Sequence, residues 1–305
     1  MEGYPDFVEH RPRTALFGAV GFAVALALTW MLAFLVPFGH QIDAATLQGF
    51  MGLLDPSLAW TADHVGTLVN PAPFVGLGAL ITGIALLRGR PRVALAVPAI
   101  LLAANVTTQL LKPALATHRF AEALGADQIA PASWPSGHAT GAMSLALCAV
   151  LVAAPRWRPA VAALGGAFAV AVSYSILALA WHFPSDILAG LLVAALWTCL
   201  GVAGLWAADA RWPARTGRAA VGRVRQALTP RSRAGQPEPI GVREALRPSV
   251  AAALAAVLFA AVVGLARPAA TVAYAQAHTT FVVGAAALAL VGGALAAGMA
   301  LVLRR

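Results

Sequence analysis

Long apolar runs alternate with short polar punctuation along this chain. Eight runs approach or reach the roughly 20 residues a helix needs to cross a bilayer core. They cover about 14–38, 68–87, 93–111, 138–154, 159–181, 185–207, 248–266 and 278–302. The first follows Arg11 and Arg13, but its apolar stretch is too long for a secretory signal, and no small-residue cleavage site follows it. Helices joined by short connections in lipid must bundle, because every backbone polar group there needs an internal partner. The pattern breaks over 208–247, where arginine, proline and glycine replace leucine and valine. The expected fold class is therefore all-α, a polytopic membrane helix bundle. It divides into a six-span core (1–207), a basic cytoplasmic linker (208–247) and two additional transmembrane helices (248–305). No fixed-period repeat is present. Residues 39–67 are expected as an outer loop whose acids, Asp43, Asp55 and Asp63, are solvated, with 47–54 lying on the membrane surface.

Composition agrees with the pattern: 60% of the 305 residues are hydrophobic and 11% charged, about half the charge of a soluble domain. The net charge of +9 would suit nucleic acid or anionic lipid, and its distribution decides between them. With the N-terminus in the cytoplasm, 18 of the 21 basic residues fall inside, as the positive-inside rule expects. The basicity is thus a topology signal, both termini are cytoplasmic, and nucleic acid is not an expected partner. Lys112 (the sole lysine), Arg119 and Arg267 remain outside. Cys148 and Cys199 lie mid-span without ligand-like spacing and read as packing residues, so neither a disulfide nor a metal site is expected.

Ionisable residues at membrane depth are costly and usually functional. Here they cluster at span ends on the outer side. The third span ends at Lys112, with Arg119 following. The fourth opens after Trp134-Pro135-Ser136-Gly137-His138. The fifth ends at Trp181-His182, and the sixth opens with Pro184-Ser185-Asp186. These residue types suit phosphoryl transfer, which needs cations and N–H donors around the phosphate oxygens. Lys112 supplies a point charge and Arg119 a planar fork. Ser136-Gly137 precedes a helix whose free N–H groups favour an anion. An imidazole can attack phosphorus, and a carboxylate four residues on can orient it, as Asp186 can for His182. His138 is then available to protonate the leaving oxygen. Trp134 and Trp181 read as membrane-interface anchors.

The chain resembles the type 2 phosphatidic acid phosphatase family, which also includes vanadium haloperoxidases and some bacterial acid phosphatases. The first family motif is Lys, six residues, Arg-Pro; here it is Lys112 to Arg119-Phe120, with Phe for Pro. The second is intact as Pro135-Ser136-Gly137-His138. The third is Ser-Arg, five residues, His, three residues, Asp; here it is Ser175-Ile176, then His182 and Asp186. The resemblance covers about 68–207. It implies a nucleophile at His182, its partner at Asp186 and a leaving-group acid at His138. It also implies phosphate binding by Lys112, Arg119, Ser136 and Gly137, and neither metal nor cofactor. The motif arginine, which contacts phosphate in the family, is replaced by Ile176, for which Arg267 and His118 are candidate substitutes.

The expected function is a membrane lipid phosphatase acting through a phosphohistidine on the extracytoplasmic face. Its substrate enters from the outer leaflet: a polyprenyl mono- or diphosphate, phosphatidic acid, phosphatidylglycerol phosphate or a glycolipid phosphate. Arginine in place of lysine and heavy alanine use point to a bacterial inner membrane. The alternative is a lipid-transport or lipid-binding protein on a phosphatase scaffold of low activity, and phosphate release with EDTA present separates the two.

Overall fold

The computed structural model describes residues 10–212 and 241–303. Most of the basic linker and the two terminal arginines lie outside the described residues. The described chain forms α1 (His10–Leu35), α2 (Pro37–Met51), α3 (Pro56–Thr67), α4 (Pro71–Leu87), α5 (Pro91–Ala114), α6 (Gly137–Val152), α7 (Arg158–Ala178) and α8 (Pro184–Arg211). Beyond the linker come α9 (Val242–Ala266), α10 (Pro268–Ala277) and α11 (Thr279–Val302). Proline opens α2, α3, α4, α5, α8 and α10, where its missing N–H costs nothing and its fixed φ is already helical.

Among the described residues seven helices are long and apolar enough to cross a membrane, and α3 with α4, bent by 54°, forms a further candidate. The fold is all-α among the described residues, and the chain is a multi-pass membrane protein. α6 is the central helix: it is buried on nearly all sides and packs against α5, α7, α8 and α11, as its all-round apolar sequence requires. α1, α4 and α9 carry large exposed apolar side chains such as Phe17, Leu87 and Leu254, the expected surface of helices facing lipid.

Two expectations need correction. Residues 39–67 are not a loop but two helices, and the 47–54 segment lies only in part on a surface, with Gln48, Gly52 and Leu53 exposed. Leu47 and Phe50 are buried, because α2 packs between α1, α7 and α11. Of the three acids read as solvated, Asp55 and Asp63 are exposed but Asp43 is buried. The C-terminal helices also join the six-span core directly. α11 lies against α7, α2, α6 and α8 through small residues: a Cβ on Gly284 would stand 2.6 Å from Thr46, and one on Gly49 2.2 Å from Phe281. Such close backbone approach is how helices associate where no hydrophobic force separates them from lipid.

At one end of the bundle, arginines cap helix C-termini. Arg90 donates to the carbonyls of Leu151 at 2.9 Å and Val152 at 3.3 Å, Arg158 to Leu303 O, and Arg92 pairs with Asp209. These cations oppose the negative helix ends. The candidate chemistry lies at the other end.

Candidate active site

Four helix ends converge: the C-termini of α5 and α7 and the N-termini of α6 and α8. α7 stops in a Schellman turn. Trp181 N–H reaches Ile176 O and Ala180 N–H reaches Leu177 O, both at 3.0 Å. Ala180 takes the left-handed conformation there, φ 54°, a position glycine usually fills. This reversal delivers His182. Phe183 then caps α8, and Asp186 in its first turn accepts the Phe183 N–H at 3.0 Å on Oδ2. The same oxygen lies 3.4 Å from His182 Nδ1. A carboxylate on Nδ1–H leaves Nε2 as the basic nitrogen, the arrangement a nucleophilic imidazole needs.

His138 sits in the first turn of α6, its ring centroid 6.3 Å from that of His182 and 5.4 Å from Trp181. Its Nε2 lies 3.2 Å from Asn70 Oδ1. Asn70 occupies the break between α3 and α4, and nothing in its local sequence marked it. Ser136 is the α6 N-cap, its Oγ accepting from Ala139 N–H at 3.3 Å. Its own N–H is bound to Asp186 O at 2.9 Å, so it ties the second motif to the third. The N–H groups of Gly137 and His138, first in the helix, have no carbonyl partner within it and form the donor end of the α6 dipole. Gly190, one turn beyond Asp186, permits this contact: a Cβ there would lie 2.6 Å from Ser136 O. Lys112, half-buried at the end of α5, is close enough for its charge to act on His138 and to feel Asp186.

Arg119 is placed differently from a simple phosphate clamp. Its Nη1 donates to Asp43 Oδ2 at 3.0 Å and to Ser185 Oγ at 2.9 Å. Its Nη2 donates to Ser133 Oγ at 3.0 Å and pairs with Asp186 Oδ1. The guanidinium carbon lies over the rings of Phe34 and Phe183, 4.5 and 4.1 Å from their centroids. Burial raises the Asp43 carboxyl to about 6, outweighing the opposing pull of Arg119. Asp43, Ser133, Ser185 and Phe34 escaped the sequence reading; the only trace was an acid in an outer segment free of lysine and arginine.

Ile176 is wholly buried, its Cγ2 3.3 Å from where a Cβ on Gly66 would stand. Its two candidate substitutes are exposed: Arg267 precedes α10, and His118 lines a cavity of about 310 Å³ beside the end of α1. Trp134 is not an interface anchor; it is 3% exposed and meets Phe34 edge-on. Trp181, beside His138, is partly exposed.

Comparison with curated proteins finds no match. Among solved structures, the chain is similar to a transmembrane PAP2-type phosphatidylglycerolphosphate phosphatase from Bacillus subtilis, at 18% identity, covering 65% of this chain and 98% of that one, with a TM-score of 0.48. The model of the PAP2 superfamily matches residues 76–210, a stretch that contains all three motifs and both histidines. Over that region the chain matches the PAP2 superfamily, the type 2 phosphatidic acid phosphatase family.

Proposed function

We propose that this membrane phosphatase of the PAP2 superfamily hydrolyses a lipid phosphate or diphosphate through a phosphohistidine on His182, at the extracytoplasmic face of a bacterial inner membrane. The observation that carries the reading is the pairing of His182 with Asp186 opposite His138, with a 6.3 Å ring separation that leaves room for one phosphoryl group. His182 Nε2 attacks phosphorus while His138 gives its proton to the departing lipid oxygen. Asp186 stabilises the imidazolium that forms. Water, deprotonated by His138, then cleaves the P–N bond, returning His182 and releasing phosphate. Lys112 and the Gly137 and His138 N–H groups hold the phosphoryl oxygens, and no metal ion is required. Arg119 acts from behind, through Asp186.

The outward orientation rests on the distribution of basic residues along the sequence, and among the described residues Arg90, Arg92 and Arg158 lie at the bundle end opposite the histidines. The substrate reaches the site from the outer leaflet, and a polyprenyl mono- or diphosphate is the first choice, followed by phosphatidic acid and phosphatidylglycerol phosphate. One observation favours a second reading. With Ile176 in the third motif and Arg119 held between two carboxylates, Lys112 is the one motif cation among the described residues left for the phosphate. That would suit a lipid-binding or lipid-transport protein of low turnover.

Phosphate release by the purified protein from a panel of lipid phosphates, with EDTA present, separates the readings. Turnover with an acid-labile phosphoenzyme, both lost in His182→Ala, is the expected result. Substantial turnover by His182→Ala would overturn the mechanism, and no turnover on any lipid phosphate would favour the transport reading.

A further inference from the structure

Asp43 belongs to none of the three motifs and comes from α2, which is not among the spanning helices. It is 6% exposed, yet every interaction it makes aims at the catalytic end of α8 or at Arg119. Oδ1 accepts the Ser185 N–H at 2.8 Å, and Oδ2 accepts Ser185 Oγ–H at 2.6 Å and Arg119 Nη1–H at 3.0 Å. The other amino nitrogen of Arg119 is on Asp186, whose second oxygen faces His182. Asp43, Arg119, Asp186 and His182 thus form one continuous chain of charge-assisted contacts. A buried carboxylate is expensive, and burial already pushes Asp43 up to about 6. A fold with no use for the charge would be better served by an apolar residue there.

A guanidinium fixed on both amino nitrogens and packed over two aromatic rings presents no open fork to a ligand. What it does is fix the orientation of Asp186. α2 is in turn clamped by the C-terminal helices. Tyr274 OH donates to Gly49 O at 2.6 Å and Thr46 Oγ1 to Thr280 O at 3.3 Å.

We infer that Asp43 is a positioning residue for the reaction, acting through Arg119 and Asp186 on His182, and that the C-terminal helices serve to hold α2 and its carboxylate in place. The inference rests on the phosphatase reading of the same site. Asp43→Asn keeps the size and, through its amide oxygen, the Ser185 N–H contact, but removes the charge and the oxygen that accepts from Ser185 Oγ–H and Arg119. Its kcat should fall about tenfold, with KM and vanadate inhibition within about twofold of the wild type, since the phosphate contacts are untouched. Arg119→Gln and the double variant Asp43→Asn/Arg119→Gln should have the same kcat, because the carboxylate works only through the guanidinium. A normal kcat in Asp43→Asn with a lowered melting temperature would make Asp43 merely structural. Tighter vanadate binding would make it a brake on a phosphate-binding Arg119, and additive losses in the double variant would break the chain of contacts. Each outcome overturns the inference.

Selective ¹⁵N-histidine labelling reads the same network without turnover, so it separates this inference from failure of the phosphatase reading. Exchange of the His182 Nδ1 proton with water should quicken at least fivefold in Asp43→Asn. Unchanged exchange would defeat the inference even in an active enzyme.

Discussion

Replacing Ile176 by arginine puts back the side chain that the family carries in its third motif. Two effects compete. If the guanidinium reached the phosphate, a charge-assisted hydrogen bond would add about 1.5–3 kcal/mol to anion binding. Position 176, however, is completely buried and packs its Cγ2 3.3 Å from the Cβ position of Gly66. An unpaired buried charge costs about 3–5 kcal/mol, and overfilling a packed site adds about 1–3 kcal/mol. The cost wins by about 4 kcal/mol at the midpoints of these ranges. Ile176→Arg should therefore lower the thermal midpoint of the detergent-solubilised protein by several degrees and leave vanadate inhibition no tighter. An unchanged midpoint with roughly tenfold tighter vanadate binding, a gain of about 1.4 kcal/mol, would refute the packing argument and restore the missing-clamp explanation.

Three further outcomes follow from the site. Asn70→Leu removes the acceptor on His138 Nε2, and the loss of about 1 kcal/mol should slow poor leaving groups about fivefold more than good ones. Asn70→Asp should restore the rate and move the alkaline limb of kcat upward, since a carboxylate favours imidazolium; an unmoved pH profile would count against Asn70 as the partner of the acid. Gly190→Ala drives a Cβ to 2.6 Å from Ser136 O, whereas a Cβ on Gly204 in the same helix meets nothing within 4 Å. The first change should cost about 1–3 kcal/mol and much of the activity, the second neither, by thermal melt and turnover. Asp43, raised from 3.8 to about 6, binds its proton more tightly folded than unfolded, so its contribution to stability is fully present below about pH 4 and lost as pH rises to about 6. The stability of Asp43→Asn relative to wild type should thus improve by about 3 kcal/mol from pH 4 to 7, read by chemical denaturation at each pH; an improvement on lowering the pH instead would reverse the sign.

The membrane class and the spanning helices were legible because they depend on local hydrophobicity and proline punctuation alone. Pro184 at the start of α8, with Asp186 in its first turn, followed from the same local rules. The helical nature of 39–67 was not, since α2 mixes polar residues with Leu47 and Phe50. What buries that face is α11, more than 200 residues on. Trp134 was misplaced for a similar reason. An aromatic at a span end reads as an anchor until Phe34, from α1, is seen to cover it.

The same distinction explains which parts of the site could be read. Each crossing reverses the chain, so the C-termini of α5 and α7 necessarily share a membrane face with the N-termini of α6 and α8. Motifs placed at alternating span ends are thereby brought to one face by topology, and sequence order alone is enough to group Lys112, His138, His182 and Asp186. Arg119 shows the limit of that inference. Its placement near the group follows from the motif, but its guanidinium is also held by Asp43, 76 residues earlier, together with Ser133, Ser185 and Asp186. Asp43 is brought there by α2, which at 15 residues is shorter than the spanning helices, so the alternation of spans does not predict its place. A motif thus fixes which residues share a face; the contacts between helices fix which atoms of those residues a substrate can reach.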